Sequence, residues 1–500
     1  MRIAGLKPTG PLWVLAGVML ATTVLAGEWK FTPRFQIEET YTDNVNLTEN
    51  DRDGDFITSL TPGFSLRGNS ARVQTAVDYN RRERFFIDQS DLNDGNNQLQ
   101  SNVDTTLLEN WLYFGTVGRM SQQSIDSRLG FSQIDRGNNG NLSDVTSYEL
   151  TPRIKHTFGG WGTMDLSYSR QNIERKNANS ASTIFQNGFD QAAGSSDADS
   201  FDLDLRSGPR SGRFPVGLRA RSRKLEYLDG RVQKFKSISS DISYVWNRQF
   251  RSTVRGGYDD QSYDTARGVN SGVTWSIGGT WTPSRRTTFE LEWGDRFFGK
   301  SLKVTANHRL RRWQFNFNYD KQIRTSSDFE RGLVLVPLFD DVGLPVFDPV
   351  TSGQIFVPID SPGVTSDVFI EERMVGSMSY KLRRTDLKLS YFQYDREFQT
   401  TLRDNRTRGV SFNVTHRMRP RTRALLALQW RDNRDSTVTS DGLYYTVAPA
   451  LEYDLSRYTT ARLRYEYTSN DHSNVSVLGG NPEHASYFEN AISAALIVRM

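Results

Sequence analysis

Trp313-Gln314-Phe315-Asn316-Phe317-Asn318-Tyr319-Asp320 alternates aromatic and polar residues without a break. Successive side chains of a β-strand point to opposite faces, so this stretch reads as a strand with one greasy face and one wet face. The same period runs outward in both directions. Leu302, Val304, Ala306, His308 and Leu310 precede it, and before them stand Phe289, Leu291 and Trp293, then Val273, Trp275, Ile277, Gly279 and Trp281. Towards the C-terminus come Ala424, Leu426, Leu428 and Trp430, then Ala461, Leu463, Tyr465 and Tyr467 with Arg462, Arg464 and Glu466 between them. One face is expected to be wet throughout.

A soluble β-sandwich also alternates. Three features favour a membrane barrel instead. The alternating segments run to about 10 to 14 residues, the length of tilted membrane strands rather than of soluble ones. Aromatics gather near segment ends, as Trp275 with Trp281 and Tyr465 with Tyr467, where interfacial girdles lie. Short links such as Pro283-Ser284-Arg285-Arg286, Arg311-Arg312, Arg383-Arg384, Pro420-Arg421 and Ser456-Arg457-Tyr458 alternate with long polar ones, including 88–98, 137–144, 177–199 and 470–485. Short periplasmic turns and long outer loops are the habit of bacterial outer-membrane barrels.

Short turns near residues 68, 110, 160, 210, 249, 284, 311, 384, 420 and 457 each join two strands. Adding a first strand over roughly 28–41 and a last over roughly 487–500 gives an all-β, transmembrane, antiparallel up-and-down β-barrel of about 22 strands, within a range of about 20 to 24, with both termini periplasmic. Closure follows physically, because lipid offers no hydrogen-bond partner to an open sheet edge.

Composition narrows the function classes. The 500 residues carry 62 Lys and Arg against 58 Asp and Glu, a net charge of +4, too balanced to imply nucleic-acid binding. Mean hydropathy is −0.59, and no window after Gly27 is apolar enough for a membrane helix. There is no cysteine, so disulfides, thiolate metal sites and cysteine nucleophiles are excluded together. At the N-terminus Arg2 and Lys7 precede an apolar run from Pro11 to Leu25, and Val24-Leu25-Ala26 supplies a small-residue cleavage site. Residues 1–26 are therefore expected to be a signal peptide and 27–500 the barrel, addressed to the cell outer membrane.

The segment Tyr41-Thr42-Asp43-Asn44-Val45-Asn46-Leu47, followed by Ile57-Thr58-Ser59-Leu60-Thr61-Pro62-Gly63-Phe64-Ser65-Leu66, resembles the N-terminal hairpin of outer-membrane β-barrels encoded with exopolysaccharide loci and the PEP-CTERM/exosortase system. One departure is visible: such barrels usually finish on an aromatic residue read by the assembly machinery, and this chain finishes Leu496-Ile497-Val498-Arg499-Met500. The resemblance implies export or surface handling of an extracellular polysaccharide. Periplasmic secretion proteins, outer-membrane lipids and the assembly machinery are the implied partners.

A polymer channel needs a polar, wide and weakly sticky lumen. Residues alternating with the greasy face are the candidates to line it: Arg219, Arg221 and Arg223; Glu290 and Glu292; Lys303 and Arg309; Arg462 and Arg464. If the arginines share a wall they would attract uronates; the alternative is that these charges pair across neighbouring strands and only keep the interior hydrated. The arginine doublets at short turns fit lipid headgroups or solvent better than substrate.

The longest connection, about 326–367, contains Leu333-Val334-Leu335-Val336-Pro337-Leu338-Phe339 and Ile355-Phe356-Val357-Pro358. Connections this long are functional or disordered. Leu335, Phe339 and Phe356 are candidates for a constriction folded into the lumen, the alternative being an extra hairpin extending the wall. The first strand starts within a few residues of the expected cleavage site, leaving no room for an N-terminal plug and arguing against the TonB-dependent class. Asp51-Arg52-Asp53-Gly54-Asp55 starts like a calcium loop but lacks the later glutamate, so a solvated outer loop is expected. His156, His308, His416, His472 and His484 are scattered without a zinc spacing, and no Gly-x-Ser-x-Gly elbow occurs. The sequence thus points to no cofactor, no metal and no catalysis. A passive pore is the leading expectation, a docking barrel for periplasmic partners the second, and a lipid- or glycan-modifying enzyme the third.

Overall fold

The structure, a computed structural model, describes residues 27–124, 142–176, 195–330, 336–337, 356–357, 366–436, 442–471 and 486–500. Twenty-two strands form one sheet. They are β1 Gly27–Thr42, β2 Asp55–Ser70, β3 Val73–Phe86, β4 Asp94–Leu108, β5 Leu112–Ser124, β6 Leu142–Thr157, β7 Gly162–Lys176 and β8 Ser196–Ser207. There follow β9 Val216–Tyr227, β10 Val232–Val245, β11 Phe250–Ser262, β12 Ser271–Ser284, β13 Thr287–Arg296, β14 Gly299–Arg309 and β15 Trp313–Arg324. The last seven are β16 Phe369–Lys381, β17 Thr385–Phe398, β18 Asp404–Arg419, β19 Thr422–Asp435, β20 Gly442–Asp454, β21 Thr459–Asp471 and β22 Tyr487–Arg499. Each strand pairs antiparallel with its chain neighbours, and β1 pairs with β22 from Arg34↔Arg499 to Thr42↔Ala491. The sheet is a closed barrel with no free edge, as lipid requires.

All ten short turns are present, eight at the positions read from the sequence and two slightly later, at 71–72 rather than near 68 and at 285–286 rather than near 284. They share one end of the barrel with both termini, the periplasmic end of bacterial barrels. At the other end the rule of long connections has exceptions: 228–231 and 297–298 are as tight as the periplasmic turns. Strands reach 16 residues, longer than the alternation alone marks out, because polar ends extend beyond the lipid-facing band. Helix among the described residues amounts to α1, Ser326–Glu330, and two three-residue 3₁₀ turns.

The outward face carries the apolar residues of every alternating segment. Val273 is 72 % exposed and Leu463 55 %, with Trp275, Ile277, Trp281, Leu291 and Trp293 beside them. So much contiguous exposed hydrocarbon is stable only against lipid. The inward face is polar but not wet throughout, which corrects the sequence expectation. It holds small apolar clusters: Val375 with Phe392 and Tyr394 from mid-strand outward, Ala198 with Leu225 and Tyr227 toward the outer end, and Ile57 with Phe86 there, packed on Val45 of the 43–54 loop.

The hairpin carrying the family resemblance fastens the seam. The β1–β22 ladder pairs nine residues of β1, against sixteen on its β2 side. Side chains extend it: Asn490 donates from N and Nδ2 to the Asp43 carboxylate at 2.8 Å each, and Thr42 Oγ1 donates to Glu489 at 2.6 Å. Asn44 is wholly buried and its Nδ2 donates to Thr48 O at 2.7 Å and Phe488 O at 2.9 Å. Arg52 lies over the Phe488 ring at 3.9 Å. Asp55, the end of the calcium-like run, accepts backbone N–H groups from Ile87, Asp88 and Gln89 at 3.0 to 3.2 Å, so it ties two outer loops together. The Thr-Pro-Gly step has a steric reason: a Cβ on Gly63 would stand 2.3 Å from Asn80 Oδ1, the atom that accepts a 2.8 Å bond from Arg34 Nε.

Candidate functional site

The site is the lumen and the cover over its outer mouth. All nine candidate lumen residues lie on the inward face. Arg219 stands opposite Asp204 and bonds it at 2.9 Å; Arg221 stands opposite Asp202 at 3.1 Å. Glu292 takes Ser276 Oγ at 2.6 Å and pairs with Arg255, while Lys303 lies opposite it on β14. Glu290 lies opposite Thr280 and Thr305, and Arg309 is exposed near the periplasmic mouth. Arg462 bonds Glu452 at 2.8 Å, and Arg464 pairs with Glu466 two residues along. Ion pairs across strands, along a strand or to Asp328 thus engage six of these nine charges. Arg219, Arg221, Arg462 and Arg464 therefore do not form a free cationic stripe.

Further ion pairs, which sequence reading missed, lie toward both ends of the lumen: those of Glu371 and Asp435 in the outer half, and that of Arg423 with Glu452 near the periplasmic turns. Glu371 is fully buried and bridges Arg324 and Arg396, each through Nε at 2.9 Å; Arg324 also meets Asp320 at 3.1 Å. Arg403 pairs with buried Asp435, and Glu452 forms an ion pair with Arg423 at 3.2 Å as well as one with Arg462. Burial of such charges is tolerable only because each meets an opposite charge. Their inward orientation was legible from strand parity, but the partners of Glu371 and Asp435 are 25 or more residues away in sequence and register selects them.

The long 325–368 connection enters the interior at both ends. Thr325, Ser326 and Ser327 are buried, as are Ser366, Asp367 and Val368. From β9, six strands away, Arg223 pairs with Asp328 and donates Nη2 to Ser327 Oγ at 2.7 Å; from β10, Gln233 Nε2 donates to Ser366 O at 2.7 Å. A circular barrel of 22 strands is roughly 44 Å across and would hold β9 and β15 roughly 33 Å apart. Three residues of chain plus an arginine side chain reach roughly 22 Å. The walls therefore draw together here and the mouth is narrowed. Leu335 and Phe339 lie outside the described residues. Phe356 belongs to a two-residue ladder, Val336–Pro337 with Phe356–Val357, that is separate from the barrel sheet, so this ladder does not extend the wall.

Two other loops join the cover. Arg267, between β11 and β12, donates Nε to Phe398 O at 2.7 Å and pairs with Asp404 at 2.6 Å, across four intervening strands. Asp367 accepts Thr400 N at 3.0 Å, Thr401 N at 3.1 Å and Thr401 Oγ1 at 3.0 Å. Tyr263 is buried beneath them, and burial reinforced by Asp367 pushes its phenol up to about 12. The histidines stay apart: His156 stacks on Trp111 at 3.8 Å, while His308 and His416 bond Thr287 and Thr385 at 2.8 Å; His472 and His484 lie outside the described residues.

No family model and no curated protein matches the chain. Among solved structures it is similar to the FrpB iron transporter from Neisseria meningitidis, F5-1 variant, at 10 % identity over 96 % of this chain and 83 % of that one, with a TM-score of 0.53. The F3-3 variant gives 9 %, 94 %, 81 % and 0.52. This chain is an outer-membrane β-barrel. At such identities the likeness is one of fold alone, and the lumen residues carry whatever is particular to this barrel.

Proposed function

We propose that the barrel is a passive outer-membrane pore for an extracellular polysaccharide, narrowed at its outer mouth by the ends of the 325–368 segment, and that it moves its cargo without chemistry of its own. The docking of that segment on β9 and β10 carries the reading, since it partly closes the outer mouth of a polar lumen and so gives a channel something to open. A wall of self-paired charges supports weak, multi-site contact rather than capture. The FrpB barrels it resembles in fold are iron transporters, which favours transport over a purely structural role and leaves the cargo open. The polysaccharide comes from the resemblance of the Tyr41–Leu47 and Ile57–Leu66 hairpin.

The test is conductance in planar bilayers. The intact barrel is expected to conduct little, a variant lacking 326–367 to conduct strongly, and the polysaccharide made by the source cell to block that current. Unchanged conductance after the deletion would favour a docking barrel. Current indifferent to the polymer would remove the polysaccharide.

A further inference from the structure

Three successive periplasmic turns consist of nothing but arginine: Arg285-Arg286 between β12 and β13, Arg311-Arg312 before β15, and Arg383-Arg384 before β17. Each closes a tight hairpin. Leu310 N donates to Trp313 O and Leu382 N to Thr385 O, both at 2.8 Å, and Ser284 pairs with Thr287. Two-residue turns that suit strand twist are built from Asn-Gly, Asp-Gly or other glycine pairs at positive φ. None of these six arginines has positive φ. Turn formation does not explain the doublets.

Their electrostatics set them apart from the arginines of the lumen. All six are exposed, and among the described residues no carboxylate lies within ion-pair reach of any of them. The turns are tied sideways, Arg309 N donating to Arg286 O and Lys381 N to Arg312 O at 2.8 Å, so neighbouring doublets sit two strands, or about 10 Å, apart. Beside them on the outer wall stand Trp281, 49 % exposed, and Trp313 stacked on Tyr380 at 3.9 Å. Leu310 and Leu382, both exposed, stand directly before two of the doublets in a shared basic-Leu-Arg-Arg sequence.

We propose that these turns form a collar that binds the headgroups of anionic glycerophospholipids in the periplasmic leaflet. Aromatic side chains mark the level of the membrane interface, and turns of two residues keep the guanidinium groups within a side chain's length of it. Planar guanidinium forks suit phosphate oxygens, and the doublets are spaced to engage several lipids at once. Two exposed leucines among the cations fit a half-apolar interface better than open periplasm. The collar is independent of what crosses the lumen.

The protein is reconstituted in nanodiscs of equimolar phosphatidylglycerol and phosphatidylethanolamine, released, and examined by native mass spectrometry. Several bound phosphatidylglycerols are expected for the wild type. The variant with all six arginines changed to Gln should retain at least tenfold less, with phosphatidylethanolamine unchanged, and a six-Lys variant should recover part of the loss. Heat-shifted gel mobility certifies the closed barrel. The pairs R285Q/R286Q, R311Q/R312Q and R383Q/R384Q, each expected to lose about two- to threefold, serve if the sixfold variant does not fold. Equal phosphatidylglycerol retention by a folded variant overturns the collar. So does loss of binding to a soluble polyuronate while lipid retention stays constant, which would make the doublets a polymer entrance.

Discussion

Arg223→Ala should loosen the cover over the outer mouth. In the intact barrel the Arg223 side chain is 12 % exposed and its partner Asp328 13 %, and Asp328 also accepts Thr325 N at 2.7 Å. Removing one member of a buried ion pair costs about 3 to 5 kcal/mol, and partial solvent access here lowers that to about 2 to 3 kcal/mol. At about 1.4 kcal/mol per tenfold, the undocked population rises roughly 30- to 140-fold. Because the chain has no cysteine, Ser327→Cys provides a single reporter at a fully buried position. Its labelling by a membrane-impermeant maleimide should be slow in the otherwise wild-type barrel and faster by that factor with Arg223→Ala added. The reporter is present in both, so loss of its own bond to Arg223 is discounted. Single-channel current should rise in parallel. Equal labelling rates in the two backgrounds would refute the docking of this segment on β9.

Glu371→Gln leaves Arg324 and Arg396 buried without their shared counter-charge, and should lower unfolding stability in detergent by about 3 to 5 kcal/mol; a loss under about 1 kcal/mol would contradict the bridge. Asn44→Ala removes one hydrogen bond across the seam, to Phe488 O, and one within its own loop, to Thr48 O, a loss of about 2 to 4 kcal/mol, and limited proteolysis of intact cells should then cleave the 43–54 loop sooner than in wild type. Gly63→Ala forces Cβ against Asn80 Oδ1 and the Tyr79 carbonyl at 2.5 Å; since the carbonyl is backbone, about 1 to 3 kcal/mol should be lost, read as a lower heat-modification temperature on gels.

Alternation such as Trp313 to Asp320 determined strand, face and environment together. A period of two leaves each side chain only two directions, and hydrocarbon on one of them with polarity on the other is a local property of the chain. Turn placement was equally local, so the strand count and the common side of the two termini followed from reading along the sequence. Partner choice was not local. Arg219 and Arg462 could be placed on the inner wall, but whether they stood free for a ligand or answered Asp204 and Glu452 depended on register between strands. Glu371 drew no notice because its neighbours arrive from β15 and β17, and Arg223 became part of a constriction only when the closed barrel brought β9 and the end of β15 within reach. Chemistry along a strand is written in the residues themselves; chemistry across a lumen exists only after closure sets which walls face each other and how far apart they stand.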